Sequence, residues 1–468
     1  MRSHRPVYIL GAGFSKAINN SMPTLGDLGH DLSENNDIPY NGYPDIERWL
    51  SLHTQSLPFF KDYENAERQS HAQRTIERIA NLLDRKVNSI IREECPVWLS
   101  YLVSLWAAER AIVITFNYDT LLETAINSVH PYVSVNQRDG KIKRAYSDEL
   151  VYPRPIMQTN SNTKWKDFET NAPCLNSMQV LKPHGSLNWY TYGNNNEESS
   201  SIIRARELRY FNDDQTSAGT EMTPELAETQ GMNRYLIPPT SNKASFYNIG
   251  LDRAIWNQCL IALQETDDIT IMGYSAPETD DVVHALFDTI FKDNNCIINI
   301  VDIAAEKVKE TIDNKLSTSK EIEYALFYDI PSYVEERVQT RTRQFTQELK
   351  DKLDNFDCNT TFYAVLEYPH SNHQHTTEDT TFLLDINQEG FLTIGRPMNQ
   401  LLQTEQVFDV RNNKILRKED LRNILSIETE IRIMSNSDRI FSAIELEYYK
   451  TIALLRCMQT QVDDNHIL

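Results

Sequence analysis

The residues best suited to chemistry lie in four short stretches, each at or near the end of a predicted strand. They occupy residues 11–15, 117–119, 184–186 and 273–275 and include glycine, asparagine, aspartate, histidine and serine. A glycine turn can present backbone N–H groups to a phosphate, an amide donates and accepts hydrogen bonds without adding charge, and an imidazole titrates near neutral pH. Because the carboxyl ends of parallel strands line one crevice, these four strand ends predict a shared ligand site.

The first stretch follows apolar residues 7–10, which predict a short buried strand. Gly11 and Gly13 permit a sharp turn, and Ser15 is suited to cap a helix that begins near Lys16. The dipole of that helix would favour a phosphate. The dinucleotide fingerprint G-x-G-x-x-G is incomplete, however, because Lys16 stands where its third glycine belongs. For this stretch alone, a plain glycine turn after a buried strand is an equal alternative.

Each of the other three stretches also has a purely structural interpretation. Asn117 and Asp119 are suited to cap a helix, His184 to bond backbone within the core, and residues 273–275 to form a capped turn. If none of these stretches bound a ligand, the structural interpretation would have to be correct separately at each of the four strand ends. The combination therefore favours a ligand site.

Apolar segments alternate with amphipathic ones along the first part of the chain. This alternation predicts an α/β fold, with a Rossmann-like parallel sheet covered by helices on both faces. The predicted strands are 7–10, 111–115, 268–273 and 296–301, with a short strand and turn at 180–186, and the predicted helices are 246–263, 280–291 and 304–316.

The character of the sequence changes near 335–345, which predicts a domain boundary. The first domain, residues 1–340, would carry an inserted helical layer at about 45–109 and a loop-rich insertion at about 130–235. Residues 341–468 predict a smaller α+β domain, with strands at 362–368 and 382–386 and helices from about Glu419 and Ala443.

Composition excludes several classes of protein. A net charge of −21 opposes direct binding to nucleic acid, and no apolar run predicts a membrane span or a signal peptide, so we expect a cytoplasmic protein. Six cysteines without a C-x-x-C pair indicate neither a disulfide framework nor a zinc site. His370, His373 and His375 lie in a polar segment that we interpret as a loop, in preference to a metal site.

The order of the motifs resembles the sirtuin family, and more closely its divergent bacterial branch of sirtuin-like NADases in antiphage defence. The resemblance covers roughly residues 7–305 and includes V-D-I at 301–303, which fits the family's adenosine side. It is carried by G-A-G-F-S at 11–15, T-F-N-Y-D at 115–119, K-P-H-G-S-L-N-W at 182–189, L-I-P-P-T at 236–240 and G-Y-S-A-P-E-T-D at 273–280.

The resemblance implies that NAD lies across the sheet as the substrate. Asn117 would hold the nicotinamide ribose and orient a water, and His184 would contact ribose hydroxyls or act as a general base. Asp302 would accept a hydrogen bond from a ribose hydroxyl. The full set of implied cofactor-binding residues is Gly11, Ala12, Gly13, Phe14, Ser15, Asp119, Gly185, Gly273, Ser275 and Asp302.

The function implied by the resemblance is hydrolysis of NAD to nicotinamide and ADP-ribose by an antiviral, abortive-infection effector. Protein-deacylating sirtuins carry a zinc module with two C-x-x-C pairs, and its absence from this sequence favours NAD hydrolysis over deacylation. A deacylase, an ADP-ribosyltransferase and a non-catalytic module that senses NAD or ADP-ribose stay as alternatives. The expected partners are further copies of the chain or a nucleic-acid-sensing protein, either an Argonaute-type protein or a hexameric ATPase.

Overall fold

The chain divides into two compact units in a computed structural model. The first comprises Met1–Pro96, Arg110–Asn127 and Asp148–Tyr333, and the second comprises Val97–Glu109, Ser128–Ser147 and Val334–Leu468. The described residues are 5–33, 45–109, 111–129, 133–135, 142–144, 178–192, 202–205, 207–212, 217–218, 229, 231–240, 243, 250–277, 279–291, 297–317, 322–338, 340–341, 364–367, 381–386, 391–398, 401–409 and 414–416.

Helices and strands alternate along the described residues. The helices include α1 (Ala12–Ile18), α2 (Leu25–Ser33), α3 (Ile46–Thr54), α4 (Asp62–Ile90), α5 (Val97–Glu109), α6 (Leu121–Val129), α7 (Gly250–Glu265), α8 (Asp281–Phe291) and α9 (Ala305–Lys315), and a further helical segment lies at 330–338. The strands over the same part are β1 (Val7–Leu10), β2 (Ile112–Thr115), β3 (Val133–Val135), β4 (Ile142–Arg144), β5 (Gln179–Leu181), β6 (Gly185–Tyr192), β7 (Ile202–Arg204), β8 (Glu207–Leu208), β9 (Ser217–Ala218), β10 (Met232–Leu236), β11 (Asp268–Met272), β12 (Ile297–Val301) and β13 (Tyr324–Phe327).

A six-stranded sheet forms the centre of the first unit. Its strand order is β13-β12-β11-β1-β2-β5, and every neighbouring pair is parallel. Numbered by their appearance in the chain, the strands lie in the order 3-2-1-4-5-6 from one edge, which is the doubly wound order of Rossmann folds. Because crossovers between parallel strands are right-handed as a rule, connections that run outward in both directions are expected to place the helices on opposite faces. The predicted α/β, Rossmann-like class is therefore confirmed.

The centre of the sheet is buried because β1 and β2 are apolar apart from Thr115, the last residue of β2. All four residues of β1 and of β2 are buried, as expected for parallel strands covered on both faces. Val7 pairs with Ile112 on one side and with Ile269 on the other, so β1 lies between β2 and β11. Each fully buried large apolar side chain stabilises the fold by about 1.5–3 kcal/mol. Gly11, which follows β1, is consequently held at the middle of the sheet edge.

The predicted helical layer contains α3 and α4 of the first unit. The α4 helix buries one stripe of apolar residues at helical spacing, and Glu64 accepts a hydrogen bond from the Lys61 N–H at its start, 2.8 Å away. Asp45 accepts from the Glu47 N–H at 2.8 Å, which caps α3. That cap fixes where α3 begins and so where Glu47, a buried carboxyl, lies. The apolar stripe of α4 includes Ile79, Leu82, Leu83, Val87 and Ile90.

The second unit contains an antiparallel sheet. Its strands, in sheet order, are β14 (Ala364–Glu367), β15 (Thr381–Ile386), β16 (Phe391–Met398), β17 (Leu401–Asp409) and β18 (Lys414–Leu416). The first two fall at the strands predicted near 362–368 and 382–386. The predicted helices from Glu419 and Ala443 and the three-histidine segment lie outside the described residues. In the described part of the chain, none of the helices combines the length and the apolarity needed to cross a membrane.

Candidate functional site

The turns after β1 and β11 meet through backbone atoms at the switch point of the sheet. The Gly13 N–H donates to the Gly273 carbonyl at 2.8 Å, and the Gly11 N–H donates to the Met272 carbonyl at 3.2 Å. A Cβ on Gly11 would lie 2.6 Å from Tyr274 Cα, and one on Gly273, whose φ is +60°, would lie 2.1 Å from the Phe14 nitrogen. These glycines therefore allow two turns to pack without intervening side chains.

Three of the predicted site residues in the first two stretches, Ser15, Asn117 and Asp119, form one hydrogen-bonded network. Ser15 Oγ donates to Asp119 Oδ2 at 2.7 Å, and Asn117 Nδ2 donates to Ser15 Oγ at 2.9 Å and to the Gly11 carbonyl at 2.8 Å. Asp119 Oδ1 accepts from the Leu121 N–H at 3.1 Å, so Asp119 also caps α6. Burial raises the pKa of Asp119, against the opposing influences of Lys182 and Ser15. The network joins the ends of β1 and β2.

Lys182 is a buried cation that secures the same turn from the adjacent strand. It follows β5, and its Nζ donates to the Asp119 carbonyl at 2.7 Å and to Glu123 Oε1 at 2.9 Å. The Lys182 side chain is fully buried. A buried charge needs a partner to offset the cost of leaving water, and Glu123 supplies it. Lys182 thus fixes the turn that carries Asn117.

His184 lies in a second buried group of polar side chains. Its Nε2 is 3.3 Å from Lys243 Nζ, which donates to Asp280 Oδ1 at 2.7 Å. The Tyr274 hydroxyl donates to Asp280 Oδ2 at 2.9 Å. The Phe116 ring lies against the imidazole, with centroids 4.9 Å apart. Phe116 directly precedes Asn117, so the two buried groups are neighbours.

Burial controls the protonation of this second group. Burial, reinforced by the charge of Lys243, lowers the pKa of His184 to about 3, although Asp280 acts in the opposite direction. Burial also raises the pKa of Glu47, while the charge of Lys243 acts to lower it and the charge of Asp280 acts to raise it. For Asp280 burial acts upward, but interactions with His184, Lys243 and Tyr274 hold the pKa of the carboxyl below its usual value. The imidazole is therefore neutral at physiological pH.

This neutrality predicts a pH dependence of stability that His184 contributes. The unfolded chain protonates His184 near its ordinary pKa of 6.5, whereas the folded protein resists protonation until about pH 3. The contribution is complete above the unfolded pKa and declines as the pH falls through it, by about 2 kcal/mol between roughly pH 7 and pH 5. We expect His184→Gln to remove this part of the slope, measured by urea denaturation across that range. Equal slopes in both proteins would contradict the buried, neutral imidazole.

The remaining predicted residues have other positions. Gly185 has φ +81°, and a Cβ there would lie 2.2 Å from the Tyr235 carbonyl oxygen, so it serves the close packing of β6 on β10. Asp302 Oδ1 accepts from the Ala304 N–H at 2.8 Å next to α9, and Ser275 is exposed. Ala12 and Phe14 lie in α1, with the Phe14 ring in the core. Within the described residues, neither Asp302 nor Ser275 forms a side-chain hydrogen bond to the two buried groups.

Analysis of the sequence alone does not assign a role to four residues of the site, which are Glu47, Lys182, Lys243 and Asp280. Lys182 and Asp280 stand inside the motif stretches, so their positions carried a signal although no role was assigned to them. Glu47 and Lys243 come from segments without a motif. Their proximity to Asp280 arises only in the folded chain, because α3 and the segment after β10 converge there.

The fold and its switch point define a Rossmann-like α/β protein with a polar group of side chains at the carboxyl ends of its strands. Comparison with known proteins gives no match, either to a family model or to a curated protein.

Proposed function

We propose that this chain is an NAD glycohydrolase, which cleaves NAD to nicotinamide and ADP-ribose. The observation that supports it most is that Asn117 and His184 follow the adjacent strands β2 and β5, with the Phe116 ring against the imidazole and Asn117 bonded to the Gly11 carbonyl at the switch point, where doubly wound folds bind nucleotides. The motif order that resembles sirtuin-like NADases, with Ser15, Asp119 and Gly273 among its residues, agrees with the same substrate.

The hydrogen bonds of Asn117 suit it to positioning water. Both of its donor contacts run to the protein, one to the Gly11 carbonyl and one to Ser15 Oγ, which leaves its carbonyl oxygen to accept. An acceptor holds a water by its hydrogen and directs the oxygen lone pair outward, toward the anomeric carbon of the ribose. Holding the water and the ribose in register reduces the entropic cost of the reaction.

The electrostatics of the site suit the charge that forms during the reaction. Cleavage of the bond to nicotinamide develops positive charge on the ribose ring. A neutral His184 does not repel that charge, and the Lys243 ammonium beside the imidazole is paired with the carboxylate of Asp280. Preorganised groups of this kind stabilise the transition state without moving. Gly11, Gly13 and Phe14 already donate their N–H groups to protein carbonyls, so contacts with the diphosphate would involve other groups along the crevice.

Release of nicotinamide from NAD is the direct test. We expect purified protein, alone or with its activator, to release nicotinamide, and Asn117→Ala to lower the rate at least about a hundredfold because the water loses its acceptor. The same change should lower stability by about 1–2 kcal/mol, since two hydrogen bonds disappear. Chromatography of the products gives the rate, and thermal unfolding separates it from loss of fold.

Asn233→Ala is the matched control, because that amide is exposed on β10. It should retain the activity of the original chain. Full activity in Asn117→Ala would contradict the catalytic assignment. Turnover that requires an acyl-lysine peptide would identify a deacylase, transfer of ADP-ribose to a protein would identify a transferase, and binding of NAD without cleavage would identify a sensor.

In this proposal the enzyme is an antiviral effector that depletes NAD in an infected cell. Activation would come from oligomerisation or from a nucleic-acid-sensing partner such as an Argonaute-type protein or a hexameric ATPase. The resemblance supports this role, and the net charge of −21 is consistent with a partner making the nucleic-acid contact. Expression with and without a candidate partner, followed by measurement of cellular NAD during infection, tests the role.

A further inference from the structure

The two ring nitrogens of His184 face different surroundings. Nε2 lies 3.3 Å from Lys243 Nζ. Among the described residues, no protein group forms a hydrogen bond with Nδ1 of His184. An ammonium group has three donors and no acceptor, so Nε2 must be the acceptor in this contact. The single proton of a neutral imidazole therefore resides on Nδ1.

Lys243 forms a buried ion pair with Asp280. Its Nζ lies 2.7 Å from Asp280 Oδ1, and both side chains are buried. The second oxygen of Asp280 accepts from the Tyr274 hydroxyl at 2.9 Å, which holds the carboxylate in place. A charged, hydrogen-bonded pair of this kind keeps a buried lysine protonated because the carboxylate stabilises the ammonium.

The other titratable groups near this pair are Glu47 and Tyr118. Glu47 comes from α3, and Tyr118 lies in the turn after β2, with its hydroxyl donating to the Ile237 carbonyl at 2.6 Å. Burial raises the pKa of both groups. Among the described residues, the hydrogen-bond contacts of Lys243 Nζ run to Asp280 and to Nε2 of His184, and neither Glu47 nor Tyr118 takes part in them.

We propose that Lys243, anchored by Asp280, is a positioning residue that fixes His184 as its Nδ1–H tautomer, so that His184 donates a hydrogen bond to the substrate and takes no proton from it. This inference deepens the proposed NAD glycohydrolase function and rests on it for the identity of the ligand. The atom that suits an imidazole N–H is an oxygen acceptor such as a sugar hydroxyl. General-base chemistry by His184 is excluded, because Nε2 is occupied and Nδ1 carries the proton.

The tautomer can be measured without any catalytic activity. In the ¹⁵N-labelled full chain, we expect His184 to show a protonated Nδ1 and an unprotonated Nε2, with unchanged chemical shifts from about pH 8 to pH 5. His184→Gln assigns the signals by their disappearance. His284 is an internal control of the opposite kind: its Nε2 lies 2.9 Å from the Pro277 carbonyl, which only accepts, so its proton resides on Nε2. A proton on Nε2 of His184, or titration within that range, would overturn the proposal.

Two lysine variants separate positioning from simple packing. Lys243→Arg retains a cation and should keep the Nδ1–H tautomer, whereas Lys243→Met removes the donor and should give mixed tautomers and titration nearer pH 6.5. The signals of the unsubstituted chain decide the tautomer even where a variant does not fold. Retention of a single Nδ1–H form in folded Lys243→Met would show that Lys243 does not set it.

The role toward substrate has its own readout. Addition of NAD should shift the Nδ1 signal of His184. If NAD binds and that signal does not move, the donor role of His184 is contradicted. The rate of nicotinamide release should show no dependence on the titration of His184 between about pH 5 and pH 8. Lys243→Met should lower kcat about tenfold or more and should make the rate depend on pH in that range. If the rate of the unsubstituted chain depends on pH in this range and His184→Gln removes that dependence, the inference is overturned. A chain that binds NAD and shows the tautomer but releases no nicotinamide would contradict the proposed function alone.

Discussion

Replacement of Lys182 by Met is expected to destabilise the protein by about 3–5 kcal/mol, because it leaves a buried carboxylate without its cation. Lys182 Nζ lies 2.9 Å from Glu123 Oε1, and both side chains are almost completely buried. The same change removes the hydrogen bond to the Asp119 carbonyl, at 2.7 Å, so the turn carrying Asn117 loses its support. Urea denaturation measures the loss in free energy of unfolding.

A second substitution and a surface control isolate the cause. Adding Glu123→Gln to Lys182→Met removes the uncompensated charge and should recover about half of the loss or more. Lys16→Met is the matched control, because Lys16 pairs with Asp27 at 2.7 Å while both side chains remain partly exposed. It should cost less than about 1 kcal/mol. Equal losses at Lys182 and Lys16 would contradict the argument from burial.

Replacement of Gly273 by Ala is expected to cost about 3 kcal/mol or more. Its φ of +60° is unfavourable for a residue with a side chain, and the new Cβ would lie 2.1 Å from the Phe14 nitrogen, where only backbone could yield. Separating the two turns would weaken the hydrogen bond from the Gly13 N–H to the Gly273 carbonyl. Thermal unfolding measures the loss, and NAD binding should fall with it.

Gly231→Ala separates the two contributions. Gly231 has a φ of +73°, but nothing lies within 4 Å of an added Cβ. Its substitution should therefore cost only the backbone term, about 1–2 kcal/mol. If Gly273→Ala and Gly231→Ala lost the same free energy of unfolding, the close packing of the two turns at Gly273 would not contribute to the loss.

Local sequence was sufficient to predict the fold class. The strands β1 and β2 are apolar apart from Thr115, the last residue of β2, and such runs arise where both faces of a strand are covered. The alternation of such runs with helices then restricts the sheet to parallel pairing with right-handed crossovers. The pairing order could be recognised only when the neighbours of β1 were known, because both lie far from it in sequence.

For the candidate site, the sequence indicated which turns carry polar residues, but it did not indicate which charged side chains surround them. Asn117 and His184 carry signals because each follows a strand, and the structure gives both of them buried polar neighbours. The partner of His184, Lys243, comes from a segment without a local pattern, so its role depends on tertiary proximity. Gly11 and Gly13 indicate a turn in either interpretation, but the contact with Gly273 that they permit is a relation between distant parts of the chain.

The central position of β1 has a consequence for folding during synthesis. Leu10 pairs with Met272, so the strand made first among the described strands waits about 260 residues for its second neighbour. At ribosomal rates of about 5–20 residues per second, this interval lasts on the order of 10–50 s. Throughout it the apolar edge of β1 that later faces β11 is unpaired, and unpaired strand edges promote aggregation. The nascent chain therefore has a long period in which a chaperone that binds β1 would raise the yield of folded protein.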